Sequence, residues 1–451
     1  SAKATITPNE VIVGQQAKEF QYTIKMFGGT ADSISIVNPF EGHKIIVSSI
    51  KIDGNSIFLS NQLPRPTEPG YASWNYNDSE NVLVISSDTS AITDSIVVLF
   101  NQNIPNTTSS NNSYSSIFDD LKDPTEKESI IENNWKVSVI ADAISQIRIE
   151  DKQDGSGLII TDSTITADDT LSLYAIGRDK YDNFVNSVEG NWSVTNEIGT
   201  VNPTNASSQT IFYASKVGAG TIKLVYQSFT DQTGIINVKL GVLNRLQIRN
   251  GTNGGGTEVG DISLTTDQTL LMYAAGYDSD DNYIGDIAVD WTSSGTLDQI
   301  TGDQSSFSFA PTTAPTSGEI TITKSGVTTD KTGTISVNVG ALDNITIVNA
   351  LGNSGIAIDS LTLTTDSDYI FYLAGYDQDK NFIRNINSKW SIQGEIGTLS
   401  TGDSYSTSTV LTATTIGSGI IQADTASFTD QTGIINIKLG NLNYIKIRNG
   451  T

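Results

Sequence analysis

From Ile144 onward, apolar and polar residues alternate with a period of two, in short runs broken by Gly, Asn and Asp. Leu171, Leu173 and Ala175 share one face of such a run, as do Leu270, Met272 and Ala274, then Tyr369, Phe371 and Leu373. Ile287, Val289 and Trp291 alternate in the same way. A β-strand turns successive side chains to opposite faces, so this period predicts strands with one face on a core. No run in this region keeps a helical period. Short runs at roughly 8–12-residue spacing, separated by turn residues, predict a sandwich of about seven strands.

The runs recur. Trp192, Trp291 and Trp390 lie 99 residues apart, and so do Tyr174, Tyr273 and Tyr372, and Asp179, Asp278 and Asp377. Thr230–Gly234, Thr329–Gly333 and Thr429–Gly433 read TDQTG, TDKTG and TDQTG, each followed by an alternating run that ends in Gly. The middle copy lacks three residues after its Trp and regains them before its TDKTG, which places the length change in loops. Residues 144–243, 244–342 and 343–442 are therefore three copies of one immunoglobulin-like module. Each Trp lies on an alternating strand, which predicts burial between two sheets; a sugar-stacking ladder is the lesser reading.

Residues 1–143 do not follow the repeat. Alternation at Gln21–Lys25, Lys44–Ile50, Val82–Ile85 and Ser95–Leu99 predicts a divergent β-sandwich. The polar tract Asn106–Ser115 is expected to be a flexible loop, and the charged stretch Asp119–Asn134 to hold the only short helix. Trp135–Ile140 is expected to close this domain as a strand. Past Gly440, residues 442–451 restate 243–252, so 443–451 is predicted to be the first strand of a further copy. Its apolar side, Ile445 and Ile447, would be covered by a following module or by strand addition from a neighbouring subunit.

The run Tyr273–Asp278, then Asn282 and a Trp thirteen residues after Asp278, and the closing strand Thr332–Val337, resemble bacterial immunoglobulin-like modules of the invasin and intimin kind. The resemblance covers residues 144–443. It implies a surface-exposed stalk in an adhesin or surface-layer protein.

Acidic residues number 50 and basic residues 26, a net charge of −24. Such a field repels nucleic acid and anionic membrane and attracts cations. Cysteine is absent, and no apolar run is long enough to span a membrane. Ser1–Thr5 leads directly into alternating residues, as a mature N-terminus would after removal of a signal peptide. Together these features predict an exported, all-β protein at the cell surface.

Two turns read D-x-D-x-N: Asp278, Asp280 and Asn282, and Asp377, Asp379 and Asn381. Alternate oxygen ligands suit calcium, although the Gly and distant Glu of a twelve-residue calcium loop are missing. The first copy places Tyr181 at the middle position. Asp and Asn also build hairpin turns, so calcium and plain turn remain two readings. Asp231, Asp330 and Asp430, in T-D-x-T-G, are expected to be turn residues, because a catalytic carboxylate pair needs a partner in a specific apolar setting. Gly254–Gly256 lacks the Lys of a phosphate loop, and His43, the single histidine, has no evident nucleophile to serve. Asn77, Asn106, Asn111, Asn191, Asn205, Asn250, Asn344 and Asn449 are glycosylation sequons, Asn191 a poor one beside the core Trp192.

The residues thus predict a structural protein and not an enzyme: a surface-layer, sheath or filament subunit that pairs with copies of itself. An adhesin stalk carrying a tip domain absent from this chain is the alternative. Its partners would be cell-envelope components or ligands on host or neighbouring cells.

Overall fold

The computed structural model describes residues 2–448, apart from 28–30, 32, 57, 61–70, 80, 88–91, 121–122 and 130–131. The chain divides into two compact units, Ser1–Lys239 and Leu240–Thr451. The first holds the N-terminal domain and copy one; the second holds copies two and three. Among the described residues the regular structure is β throughout, with one short 3-10 turn at Gly352–Ser354.

In the N-terminal domain, Lys18–Met26 is the central strand, between Ala2–Thr7 and Ser95–Gln102, and Ile46–Ile52 continues that sheet. The pleat sends Phe20, Tyr22 and Ile24 inward beside Ile96, Val98 and Phe100. Phe20 and Phe100 are register partners, and their rings stack at 5.3 Å. Ser33–Val37 and Val82–Ser87 lie in the second sheet and bring Ile34, Ile36, Leu83 and Ile85 to the same core.

Two expectations fail here. Within the polar tract 106–115, Ser109–Ser113 is a strand antiparallel to Lys136–Ile140, and the Asn112 amide donates to the Val137 carbonyl at 2.9 Å. The expected helix is instead strand at Ser115–Asp120, Asp123–Ser129 and Glu132–Asn134; 121–122 and 130–131 lie outside the described residues. Ser115–Asp120 pairs with Ser33–Val37, and Glu132–Asn134 runs parallel to Ala2–Thr7. Neighbouring strand edges supply backbone partners that composition does not register, and they outweigh the low β-propensity of Asn, Ser, Asp and Glu.

The copies share one plan. In the middle one, Leu270–Tyr277 pairs with Arg245–Arg249, Tyr283–Asp286 and Ser306–Phe309. Facing it, Val289–Ser293 pairs with Thr301–Gln304 and Ile320–Thr323, while Ile262–Thr265 runs parallel to Ile335–Asn338. Each copy has eleven short strands, more than the seven expected. In copies one and two, one run of chain is split where it changes partner, as Gly218–Gly220 pairs with Ile236–Lys239 and Ile222–Tyr226 with Asn191–Val194. In copy three, Gly417–Asp424 is a single strand that pairs with both Ile434–Lys438 and Ser388–Gln393.

Trp192, Trp291 and Trp390 are 3 %, 1 % and 3 % exposed, each inside the core of its own copy. Their indole N–H groups donate to equivalent backbone carbonyls, those of Ser207, Gln304 and Ser406, at 3.1, 2.8 and 2.9 Å. The large apolar ring is thereby buried with its single donor satisfied.

The predicted terminal strand is absent: residues 441–448 form no strand, and Ile445 and Ile447 are 78 % and 99 % exposed. The equivalent Arg245–Arg249 is a strand because Leu270–Tyr277 pairs with it, and 444–448 has no such partner. Residues 449–451 lie outside the described residues.

Trp291→Ala leaves a ring-sized void and an orphaned Gln304 carbonyl, so it should destabilise copy two by ~3–5 kcal/mol. Chemical denaturation of the variant beside wild type measures this; a loss below about 1 kcal/mol contradicts the packing described.

Candidate functional site

Asp179, Asp278 and Asp377 each end the long central strand of their copy, where the chain turns back on itself. All three are buried, at 0 %, 0 % and 1 % exposure. A buried carboxylate is tolerated only when hydrogen bonds replace its lost hydration. Asp377 Oδ1 accepts from the Asn381 backbone N–H at 2.8 Å and from Asn381 Nδ2 at 3.1 Å. Its Oδ2 accepts from the Gly340 N–H at 3.0 Å, the Thr266 hydroxyl at 2.8 Å and Asn381 Nδ2 at 2.9 Å.

The same cradle recurs. Asp278 accepts from the N–H groups of Asp280, Asn282 and Gly241 and from Asn282 Nδ2; Asp179 accepts from those of Tyr181, Asn183 and Asp142 and from Asn183 Nδ2. In every copy one donor comes from 37 residues upstream, in the segment that precedes the copy's first strand. The carboxylate therefore ties its own turn to the chain entering the module.

Inside each unit the paired Asn extends the tie to the preceding domain. Asn183 Nδ2 donates to the Asn106 carbonyl at 2.7 Å, and its Oδ1 accepts from the Thr108 N–H at 3.1 Å. Asn381 does the same with the Thr312 carbonyl and the Ala314 N–H, both at 2.9 Å. Beside the first junction Tyr181 packs on the N-terminal core, and Gly14, at φ +67°, lies so close that an added Cβ would fall 2.1 Å from the Tyr181 hydroxyl oxygen.

Burial by itself raises these carboxyls, but the hydrogen bonds outweigh it. Asp179 is held below the ordinary range by the Asn183 amide and backbone and by the Asp142 and Tyr181 N–H groups. Asp278 is held low by the Asn282 amide, then the Gly241, Asn282 and Asp280 N–H groups. Asp377 is held low by the Gly340 N–H, the Asn381 amide, the Thr266 hydroxyl and the Asn381 N–H. Donors fixed by the fold favour the charged form, so the three sites are stable anions.

The T-D-x-T-G carboxylates act within a copy. Asp231, Asp330 and Asp430, expected as turn residues, lie instead in the short strands Phe229–Gln232, Asp330–Lys331 and Thr429–Gln431. They accept from the backbone N–H groups of Ile149, Ile248 and Ile347 at 2.7, 2.7 and 2.6 Å, tying that strand to the first strand of the copy. The buried hydroxyl oxygens of Thr233, Thr332 and Thr432 accept from Ile222, Ile320 and Ile421. Burial raises Asp231 and Asp330 above the ordinary carboxyl range, more than their hydrogen bonds lower them.

The structure thus separates the residues named as calcium ligands. Asp278 with Asn282, and Asp377 with Asn381, meet through hydrogen bonds, while Asp280 and Asp379 are exposed. Asn282 and Asn381 turn Nδ2, a donor, towards the carboxylate, and Asn381 Oδ1 is occupied by Ala314. No group of three or more His, Cys, Asp or Glu suited to a metal occurs among the described residues. Asp179, set apart in the sequence by Tyr181 at the middle position, proves equivalent to the other two. The upstream donors and the Asn106–Thr108 and Thr312–Ala314 loops have no motif; the constant 99-residue spacing of the Asp residues was their only trace.

No protein-family model matches the chain, and no curated protein matches it significantly. Solved structures of three bacterial proteins are similar over much of it. Invasin, an integrin-binding protein, is 12 % identical with a TM-score of 0.27 over 97 % of this chain and 79 % of its own. Domains 1–6 of the surface layer protein SbsC are 11 % identical with a TM-score of 0.22, over 98 % of this chain and 55 % of theirs. FdeC, an Escherichia coli adhesin, is 12 % identical with a TM-score of 0.29, over 65 % and 96 %. At these scores the assignment as tandem immunoglobulin-like sandwiches stands on the strand pairing and cores described above. The described helical structure includes nothing long and apolar enough to cross a membrane.

Asp377→Ala strands the Gly340, Thr266 and Asn381 donors and should cost about 1–3 kcal/mol for each donor left buried. Because the folded pKa of Asp377 lies below that of an unfolded carboxyl, its stabilisation is full above about pH 4 and fades as pH falls through the folded value. Asp231 has the opposite sign: its raised pKa favours the fold in acid, and that advantage is lost as pH rises through the folded value. Unfolding curves from pH 2.5 to 7 should therefore show Asp377→Ala losing most relative to wild type at neutral pH. Asp231→Asn, which keeps an acceptor for Ile149, should be neutral or stabilising there. A uniform offset across pH for Asp377→Ala rules out the charged cradle.

Proposed function

We propose that this chain is a structural cell-surface protein whose immunoglobulin-like modules space and assemble, as a subunit of a surface layer, sheath or filament. The observation that carries the reading is the carboxylate cradle at the module junctions inside each unit. Asp179 and Asp377, with Asn183 and Asn381, join turn, linker and preceding domain by seven and seven hydrogen bonds respectively. Such bonds resist a change of angle between neighbouring modules, which is what a spacer under load requires. These carboxylates engage backbone amides and the Asn and Thr side chains beside them, which supports a structural use for them. The proposed partners are copies of the same chain, and the proposed location is outside the cell.

Calcium belongs to this proposal at the same turns. It would enter through the exposed Asp280 and Asp379, drawn by the −24 charge, and would compete with the amide donors of Asp278 and Asp377. Calorimetric titration of wild type and Asp280→Ala reads this directly. Heat present in the first and lost in the second supports calcium; no heat in either leaves these turns to hydrogen bonding alone.

Electron microscopy of the surface of cells that carry the protein, with antibody labelling, tests the structural reading. A periodic array or filament bearing the label is the expected result. Isolated labelled projections would favour the adhesin stalk, and label confined to the cell interior would overturn both.

A further inference from the structure

Beside the buried Asp the three copies place different side chains at equivalent strand positions. In copy two, Arg245 lies across the strand from Tyr277, its guanidinium 4.1 Å over the ring, and pairs with Asp281 at 2.9 Å. The ring beneath is only 8 % exposed. In copy one, Gln146 and Arg178 occupy the equivalent positions. The Gln146 amide donates to Asp182 at 3.2 Å, Arg148 pairs with Asp182 at 2.8 Å, and Arg178 pairs with the buried Glu150 at 2.7 Å. Both copies thus fill this place with their own side chains.

Copy three does not. Asn344 stands where Arg245 stands, paired across the strand with Tyr376, and Lys380 replaces Asp281. Among the described residues no cation lies over Tyr376, and a cleft of about 350 Å³ opens there, edged by Asp343, Asn344, Thr346, Gln378 and Lys380. Val348, Gly355, Ala357 and the cradle residue Asp377 complete the lining around the half-buried Tyr376, and the volume falls in the ~300–1,000 Å³ range of small-molecule sites.

We propose that this cleft in copy three binds a pyranose ring of a glycan. A sugar ring presents a face of C–H bonds, which suits Tyr376, and an edge of hydroxyls, which suits Asn344, Thr346, Gln378 and Asp343. Lys380 decides against the obvious alternative, a guanidinium or ammonium seated as Arg245 is. That residue depends on Asp281, and here the same position carries a positive charge. Lys380 can donate to a ring hydroxyl or to the carboxylate of a uronic acid, so neutral and acidic sugars share the chemistry.

Saturation-transfer NMR on the full chain, with maltotetraose as the neutral probe and tetragalacturonate as the acidic one, tests the site. Transfer to ring protons of at least one probe is expected, and Tyr376→Leu should weaken binding roughly tenfold or more. The paired substitution Asn344→Arg with Lys380→Asp rebuilds the filling of copy two. It should abolish transfer while the melting temperature holds or rises, which separates loss of the site from loss of the fold. Unchanged transfer in the paired variant, or no transfer from either sugar to wild type, overturns the proposal.

Discussion

A carboxylate removed from water must be given donors, and Asp179, Asp278 and Asp377 obtain theirs from two stretches of chain at once. The turn supplies backbone N–H groups and an Asn amide; the segment 37 residues upstream supplies one more. Neither stretch can move without leaving a buried charge or a buried donor unpaired. The cost of that exceeds the worth of any single hydrogen bond, because it includes desolvation that nothing then offsets. Turn, linker and, inside each unit, the loop of the preceding domain are therefore held as one. The indole of the core Trp and the T-D-x-T-G staple follow the same logic inside each sandwich, with every buried polar atom of the device directed at a backbone group.

The repeat makes the molecule its own control. Features that recur in all three copies, namely the buried Trp with its carbonyl partner, the Asp–Asn cradle and the buried Thr hydroxyl that accepts from an Ile N–H, belong to the framework. Features that change are free to carry chemistry. Tyr277 under Arg245 and Tyr376 beside Asn344 occupy the same register, yet one ring is covered and the other borders an open cleft. Two side-chain replacements, Asn344 for Arg245 and Lys380 for Asp281, accompany the change from a filled surface to a candidate site.

The alternation of residues and the 99-residue spacing determined the three sandwiches, the burial of Trp192, Trp291 and Trp390, and the position of each turn, because strand pleating and repeat length are written into single positions. The N-terminal domain was legible only in its apolar runs. Ser109–Ser113 and Ser115–Asp120 became strands through partners distant in sequence, and residues 444–448, whose equivalents elsewhere are strands, did not because they have none. Sequence likewise named Asp278 and Asp377 as special but not their role. A D-x-D-x-N spacing describes equally a turn and a set of oxygen ligands, and only folding brings Gly340, Thr266 and Ala314 to Asp377 and Asn381. Local periodicity decides what becomes a strand with a buried face; which polar atoms meet depends on the return of distant chain, and that is decided in three dimensions.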